Sequence, residues 1–183
     1  MTMLVQRAAG SNELPFALED LKAHLRVDFE DDDAAIIDIG KTAAAEIEQF
    51  AQIALLSQTV TVTLIGPDLA DGFMRLPIGP VFDGGELQVT ADGVGLETML
   101  ILSGLRPVLY WMDDLNNLAP HQVTISYRAG FGELASHVPS DLAQALKDQA
   151  ALHYDGRSPM DAKSLTTSPH MARIGARYRG VQA

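Results

Sequence analysis

The sequence contains no cysteine, so none of its 183 residues can form a disulfide, act as a thiolate nucleophile or ligate a metal through sulfur. It also contains no uninterrupted run of about 18 apolar residues, and no transmembrane helix is expected. Residues 1–15 lack the hydrophobic segment that follows the charged segment of a signal peptide, so we do not expect a secretory signal there. A chain without cysteine is compatible with both oxidising and reducing compartments, so its composition does not indicate where it is located.

Basic side chains are scarce, since 13 Lys and Arg stand against 24 Asp and Glu and give a formal net charge of −11. Affinity for nucleic acids comes mostly from Lys and Arg contacts with phosphate, so this chain is not expected to wrap DNA or RNA. Acids concentrate in the first third of the chain, whereas residues 157–183 are rich in arginine. This asymmetry either fixes the register of an assembly or is incidental surface charge.

Catalytic motifs are missing as well. No glycine-rich loop leads into a Lys-Ser/Thr pair, and no serine lies in a G-x-S-x-G turn. Asp113 and Asp114 are adjacent, so their side chains diverge and form no acid–base pair. The histidines lack the three- or four-residue spacing of a helical metal site and are interpreted as structural or surface residues. They are His24, His121, His137, His153 and His170. We therefore expect no enzyme, no metal and no other cofactor; a small acidic hydrolase is the weakest alternative.

Helical periodicity is present near both ends of the chain and absent in the middle. Apolar residues three and four apart predict helices at 18–25, at about 32–55, at about 139–154 and at about 170–178. Two-residue alternation, β-branched residues and turn signals predict five or six short strands within 57–130, the first of them beginning at residue 57. A hairpin turn signal at 91–93 follows a predicted strand at 86–90, whose expected partner is 98–102, and residues 113–120 are predicted to be a loop. Residues on the predicted apolar faces include Ile36, Val60 and Leu142. Residues 1–14 show no sustained period and are interpreted as loose.

These elements predict an α+β fold. Residues 1–56 and 131–156 are expected to form one small helical bundle, because each helix has an apolar face that needs a partner. Residues 57–130 are expected to form an inserted β-rich module. Residues 157–183 are expected to form a linker and a short C-terminal docking helix, although folding of that helix onto its own domain is the alternative.

An acidic elbow precedes the long helix. Carboxylates near a helix start accept hydrogen bonds from free N–H groups and favour the positive end of the dipole, so we interpret Asp31, Asp32 and Asp33 as a cap. A calcium loop would need alternating ligands, a glycine and a distal glutamate, which this run lacks.

Small residues interrupt the long helix. Gly40 costs about 1 kcal/mol relative to alanine in a helix interior, so its presence requires an explanation. With Ala43 and Ala44 it makes a surface that another backbone could approach closely. The surface is either a local packing requirement or a subunit interface.

The last predicted helix is a candidate docking segment. Three apolar residues form one stripe, and three arginines cover the rest of its surface. The candidate residues are Met171, Arg173, Ile174, Arg177, Tyr178 and Arg179. Basic residues at a helix C-terminus also complement its dipole, which explains part of this pattern without a partner.

Two segments resemble the head–tail connector family of tailed phages, the gp6-like adaptors. That family opens with a helix of the form L-x-x-x-K-x-H-L-R-[VI], an acidic elbow and a long helix, and residues 18–36 here read LEDLKAHLRVDFEDDDAAI. The family's strand, glycine turn, Val-Pro and following helix resemble VTISYRAGFGELASHVPSDLAQALKDQAALHYDGR at 123–157. Members of the family frequently have Tyr-Arg near the C-terminal end, which matches Tyr178 and Arg179. The family's usual Glu-Asn is replaced here by Asp155-Gly156, and the resemblance is weakest at 66–120.

The resemblance implies a structural subunit of a ring, expected to be twelvefold, beneath the portal of a tailed phage or gene transfer agent particle. The C-terminal segment would contact the portal protein, and a stopper or tail-terminator protein would follow. DNA would pass through the lumen without specific binding, which makes Asp31, Asp32 and Asp33 candidates for an acidic lining. Assembly is expected in the bacterial cytoplasm, without a membrane. Alternatives are a head-closure or tail-completion protein of the same neck, or a monomeric interaction module.

Overall fold

The computed structural model describes residues 2–10, 12–67, 72–81, 87–96, 99–111, 120–157 and 167–179. Within these ranges the fold is α+β, as predicted, with four α-helices and two antiparallel sheets. The helices are α1 (Leu18–Leu25), α2 (Asp33–Ala51), α3 (Ser140–Asp155) and α4 (Pro169–Arg179). The strands are β1 (Thr2–Ala9), β2 (Gln58–Ile65), β3 (Phe73–Arg75), β4 (Gln88–Ala91), β5 (Val94–Leu96), β6 (Met99–Leu102), β7 (Val108–Trp111) and β8 (Gln122–Ala129).

The chain divides into two compact units. A β unit comprises residues 1–11 and 57–130, and a helical unit comprises residues 12–56 and 131–183. The Asp113–Asp114 pair, most of the predicted 113–120 loop and residues 158–166 of the predicted linker lie outside the described residues. No helix in the described parts of the chain combines the length and apolar character needed to cross a membrane.

The larger sheet of the β unit has the strand order β1-β2-β8-β4-β5. The Thr/Val alternation of β2 places Val60, Val62 and Leu64 in the core, because successive side chains of a strand point to opposite faces. Ile125 on β8 pairs with Val62 and is equally buried. The hydroxyl of buried Tyr127 donates to the Ile78 carbonyl at 3.1 Å and accepts from the Ile78 amide at 3.2 Å.

The β4–β5 hairpin corrects the predicted strand pairing. The turn signal at Asp92-Gly93 is correct, since both residues have positive φ, 48° and 84°. A two-residue turn joins only the residues that flank it, so Ala91 pairs with Val94. The predicted partner at 98–102 corresponds instead to β6, which pairs with β7 in a second sheet of order β3-β7-β6.

The expectation of a loose N-terminal segment is wrong. Residues 2–9 form β1, which pairs antiparallel with β2 in an uninterrupted register from Thr2–Ile65 to Ala9–Gln58. This segment therefore lies in the β unit rather than in the expected helical core. The pairing joins residues more than 40 positions apart, so the short-range periodicity of the sequence does not indicate it.

The helical unit is built around one apolar cluster shared by its four helices. Leu21 of α1, Ile36 and Ile47 of α2 and Leu142 and Leu146 of α3 are at most 1% exposed. The helical spacing predicted from the sequence therefore identifies the packed faces correctly.

The long helix ends earlier than predicted, at Ala51, because Gln52 adopts a left-handed conformation (φ 55°). The apolar residues beyond it, Ile53 and Leu55, remain buried without being helical. The Glu48 carboxylate accepts a hydrogen bond from the Leu55 amide at 2.7 Å, which ties the segment 52–55 back to the end of α2.

Candidate functional site

The C-terminal helix α4 is folded onto its own unit. Met171 and Ile174 are each 2% exposed and belong to the apolar cluster formed with α2 and α3. The Tyr178 hydroxyl donates to the Asp141 carboxylate of α3 at 2.9 Å. Burial, followed by this hydrogen bond, raises the pKa of Tyr178 to about 12. The alternative in which the helix packs on its own domain thus describes this structure, and two of the proposed docking anchors are occupied.

Local sequence explains how α4 begins and why it fits. The Ser168 hydroxyl accepts a hydrogen bond from the Met171 amide at 2.9 Å, which is the geometry of an N-cap. The Ser168 amide donates to the Gln149 side-chain oxygen at 2.7 Å and ties this start to α3. Gly175 lies directly against the Phe50 ring, where a Cβ would overlap it.

The basic side chains of α4 are three arginines and one histidine, and the arginines lie on its exposed surface. Arg173, Arg177 and Arg179 are all exposed. The Arg177 guanidinium lies 3.7 Å from the Asp141 carboxylate, and that of Arg179 lies 5.9 Å from the centroid of the Phe50 ring. What α4 presents to a partner is therefore positive charge rather than an apolar stripe.

The acidic elbow does not cap α2 in the predicted way. Asp32 is the N-cap residue, yet its side chain makes no cap hydrogen bond. Its carboxylate instead accepts from the Tyr154 hydroxyl at 2.8 Å and from the Arg157 guanidinium at 3.2 Å. The Tyr154 hydrogen bond, helped by Arg157, holds the pKa of Asp32 below its ordinary value. The interpretation of Asp32 as a side-chain cap is wrong, because its carboxylate joins the start of α2 to the end of α3.

Asp33 has a structural partner as well. Its carboxylate lies 2.6 Å from the ammonium of Lys22, whose side chain is 7% exposed. This contact raises the pKa of Lys22. Asp31, by contrast, is exposed, as are the neighbouring Asp28 and Glu30. Of the three lumen candidates, only Asp31 is thus exposed, whereas Asp32 and Asp33 are partly buried.

The acidic and basic groups lie at opposite ends of α3. Asp32 contacts the last turn of α3 through Tyr154, whereas Tyr178, in the last turn of α4, contacts Asp141 in its first turn. At about 1.5 Å per residue these two positions on α3 are roughly 20 Å apart. The elbow and the arginine-rich end of α4 therefore do not neutralise each other within one subunit.

The small-residue surface of α2 is covered by residues of the same helical unit. Gly40 lies against the ring of Phe16, where a Cβ would overlap it. Ala43 is fully buried and Ala44 is 6% exposed. The local packing interpretation explains these residues, and their role in a subunit interface stays a prediction.

A polar network that the sequence analysis missed joins the helices. The Asp148 carboxylate of α3 contacts His24 of α1 at 3.1 Å and also contacts His170 of α4. The Glu46 carboxylate of α2 contacts His153 of α3 at 2.9 Å. No group of three or more metal-binding side chains occurs among the described residues. The sequence holds no signal for this network, because its members come from different helices.

Comparisons with known proteins give similarity only at the level of solved structures. No protein-family model matches the chain, and no curated protein matches it. A chain in the virion of a native gene transfer agent (GTA) particle has a TM-score of 0.76 and 25% identity, over 98% of this chain and 97% of that one. A chain in the neck of an empty GTA particle with C6 symmetry has a TM-score of 0.73 and 23% identity, over 98% and 97%. A chain in the neck of a native GTA particle with C12 symmetry has a TM-score of 0.73 and 24% identity, over 100% and 97%. The chain therefore has the fold of proteins from the virion and neck of GTA particles.

Proposed function

We propose that this chain is a structural adaptor subunit that forms a ring in the neck of a gene transfer agent or tailed phage particle. The observation that carries the proposal is the fold similarity to a chain of the native GTA virion, which spans nearly the full length of both chains at 25% identity. The head–tail connector resemblance at 18–36 and 123–157 supports the adaptor position within the neck.

Ring formation is the central element of this proposal. Chains of this fold occur in a neck structure computed with C12 symmetry and in one computed with C6 symmetry, and a ring of twelve copies is compatible with both. Each copy would then contact two neighbours through two different surface patches, as cyclic assemblies require. Closure into a ring would leave a lumen for the passage of DNA.

Portal contact is proposed for the exposed arginines of α4. Met171 and Ile174 are buried in the helical unit, so an anchoring role for them would require α4 to detach. Arg173, Arg177 and Arg179 are exposed and can bind an acidic surface of the portal without any rearrangement. A stopper or tail-terminator protein would occupy the other side of the ring.

The exposed acids of the elbow are proposed to face the lumen. Asp28, Glu30 and Asp31 are exposed next to Asp32, whose contact with Tyr154 lies roughly 20 Å along α3 from the contact between Tyr178 and Asp141. A negative lining repels DNA phosphates and therefore does not retain DNA as it moves. Location of the α4 arginines in the channel instead would refute this part of the proposal.

The deciding experiment is an electron-microscopy map of the neck of particles from the producing bacterium. The adaptor proposal expects density for a ring of this chain directly beneath the portal. Density one layer further from the portal would identify a head-closure or tail-completion protein instead. Mass measurement after size-exclusion chromatography, with and without added portal protein, gives a second test. A chain that stays monomeric in both samples would contradict ring formation.

A further inference from the structure

The carboxylate of Asp148 on α3 joins α1 to α4. Its Oδ1 atom lies 3.1 Å from Nε2 of His24 on α1, and its Oδ2 atom contacts Nδ1 of His170 on α4. The side-chain amide of Gln144, one turn earlier on α3, donates to Oδ1 at 2.9 Å. The side chains of His24, Asp148 and His170 are 28%, 27% and 27% exposed, so water screens their contacts only in part.

The shared carboxylate makes the two histidine contacts interdependent. They use different oxygens of Asp148, so they do not compete for one acceptor atom. Each contact restricts rotation of the same side chain, and the conformational entropy of that restriction is lost only once. The contact with His170 therefore favours the contact with His24, and the reverse holds as well because a coupling free energy is reciprocal.

Both helices depend on contacts of this kind. Helix α1 has eight residues and α4 has eleven, and isolated helices shorter than about 12–15 residues are marginal in water. The side chain of Leu21 anchors α1 in the apolar cluster, and the ion pair of Lys22 with Asp33 joins it to α2. The contact of His24 with Asp148 joins it to α3. Loss of one of these attachments therefore increases the local opening of α1.

We propose that Asp148 couples α4 to α1, so that a partner bound to the arginines of α4 also stabilises α1 and the acidic elbow that follows it. The inference rests on the proposed contact between α4 and the portal. A partner that binds α4 in its packed position lowers the population of states in which His170 has left Asp148. The route onward is short, because α1 ends at Leu25, Val27 is buried, and the exposed acids begin at Asp28.

The coupling is measured by hydrogen–deuterium exchange of the full chain. His170→Ala should speed exchange of the α1 amides about threefold, although the substitution lies on another helix. Tyr178→Phe is the matched control, because it removes a different contact between α4 and a carboxylate of α3, that of Asp141. It should leave exchange of α1 unchanged. Equal exchange of α1 in the two variants would overturn the coupling.

A double-mutant cycle in urea denaturation measures the coupling independently. His24→Ala and His170→Ala should each raise the unfolding constant. The double variant should raise it by about threefold less than the product of the two single effects, because the coupling is lost only once. In an Asp148→Asn background, which leaves a single acceptor oxygen, the two effects should multiply. Effects that multiply in the wild-type background as well would overturn the proposal.

Added portal protein tests transmission from α4 to α1. Portal should slow exchange of both helices in the wild-type chain, but of α4 alone in Asp148→Asn. Protection of α4 without protection of α1 in the wild-type chain would overturn the coupling and leave the portal contact standing. Equal protection of α1 in both chains would overturn the role of Asp148. Absence of protection at α4 would refute the proposed portal contact and, with it, the transmission.

Discussion

Replacement of Ile174 by alanine tests whether α4 is a core helix or a free docking tail. Ile174 is 2% exposed and packs in the cluster shared with α2 and α3. The substitution removes roughly three buried carbons, worth about 2.4 kcal/mol at ~0.8 kcal/mol each. The remaining cavity raises the expected loss in free energy of unfolding to about 2.5–4 kcal/mol.

The assay is urea denaturation followed by the helical circular-dichroism signal. For a slope of about 2 kcal/mol/M, the midpoint of Ile174→Ala should fall by more than about 1 M. Arg173→Ala is the matched control, because Arg173 is exposed on the same helix and its loss should change stability by no more than about 0.5 kcal/mol. Equal midpoints for the two variants would refute the packing of α4 and restore the free-tail interpretation.

The same packing changes what a truncation should do. A free docking tail could be removed at residue 168 without loss of the fold, which is what the sequence by itself suggests. In the structure this truncation uncovers the apolar surface that Met171 and Ile174 occupy. Loss of portal binding in such a variant would therefore not distinguish docking from destabilisation, and substitution of the exposed arginines is the cleaner test.

Three further predictions concern packing and pH. Gly40→Ala should destabilise the helical unit by about 1–2 kcal/mol although alanine has the better helix propensity, because the added Cβ overlaps the Phe16 ring. The double variant with Phe16→Leu should recover most of this loss, and urea denaturation measures both. Tyr154→Phe removes the main cause of the lowered Asp32 pKa. The wild type should lose stability as the pH falls below about 4 and through the folded pKa of Asp32, whereas the variant should be less stable at neutral pH and lose less on acidification. Because the pKa of Tyr178 is raised to about 12, wild-type stability should fall as the pH rises from 10 to 12, and Tyr178→Phe should lack this component.

Each of these predictions has an outcome that would contradict it. Unchanged or increased stability of Gly40→Ala would mean that the Phe16 ring moves aside freely. An identical acid limb for wild type and Tyr154→Phe would show that the Asp32 contact does not persist in solution. An identical alkaline limb for wild type and Tyr178→Phe would show the same for the burial of Tyr178 and its contact with Asp141.

The sequence by itself determined the elements whose signals are local. Helix α1 lies at the predicted residues 18–25, and β2 lies within one residue of its predicted start. Helical spacing and two-residue alternation report which side chains share a face, so they also identified the buried positions Ile36, Val60 and Leu142. Turn chemistry located Asp92-Gly93.

Only the tertiary structure decided which of these elements meet. The contact between Asp32 and Tyr154 joins residues 122 positions apart, and the contact between Asp148 and His170 joins two different helices. No short-range pattern encodes such pairs, because each partner alone has the sequence features of an ordinary surface residue. The same holds for β1, whose strand character depends on hydrogen bonds to β2, and for α4, whose apolar stripe fits an external groove or its own unit equally well until the packing is known.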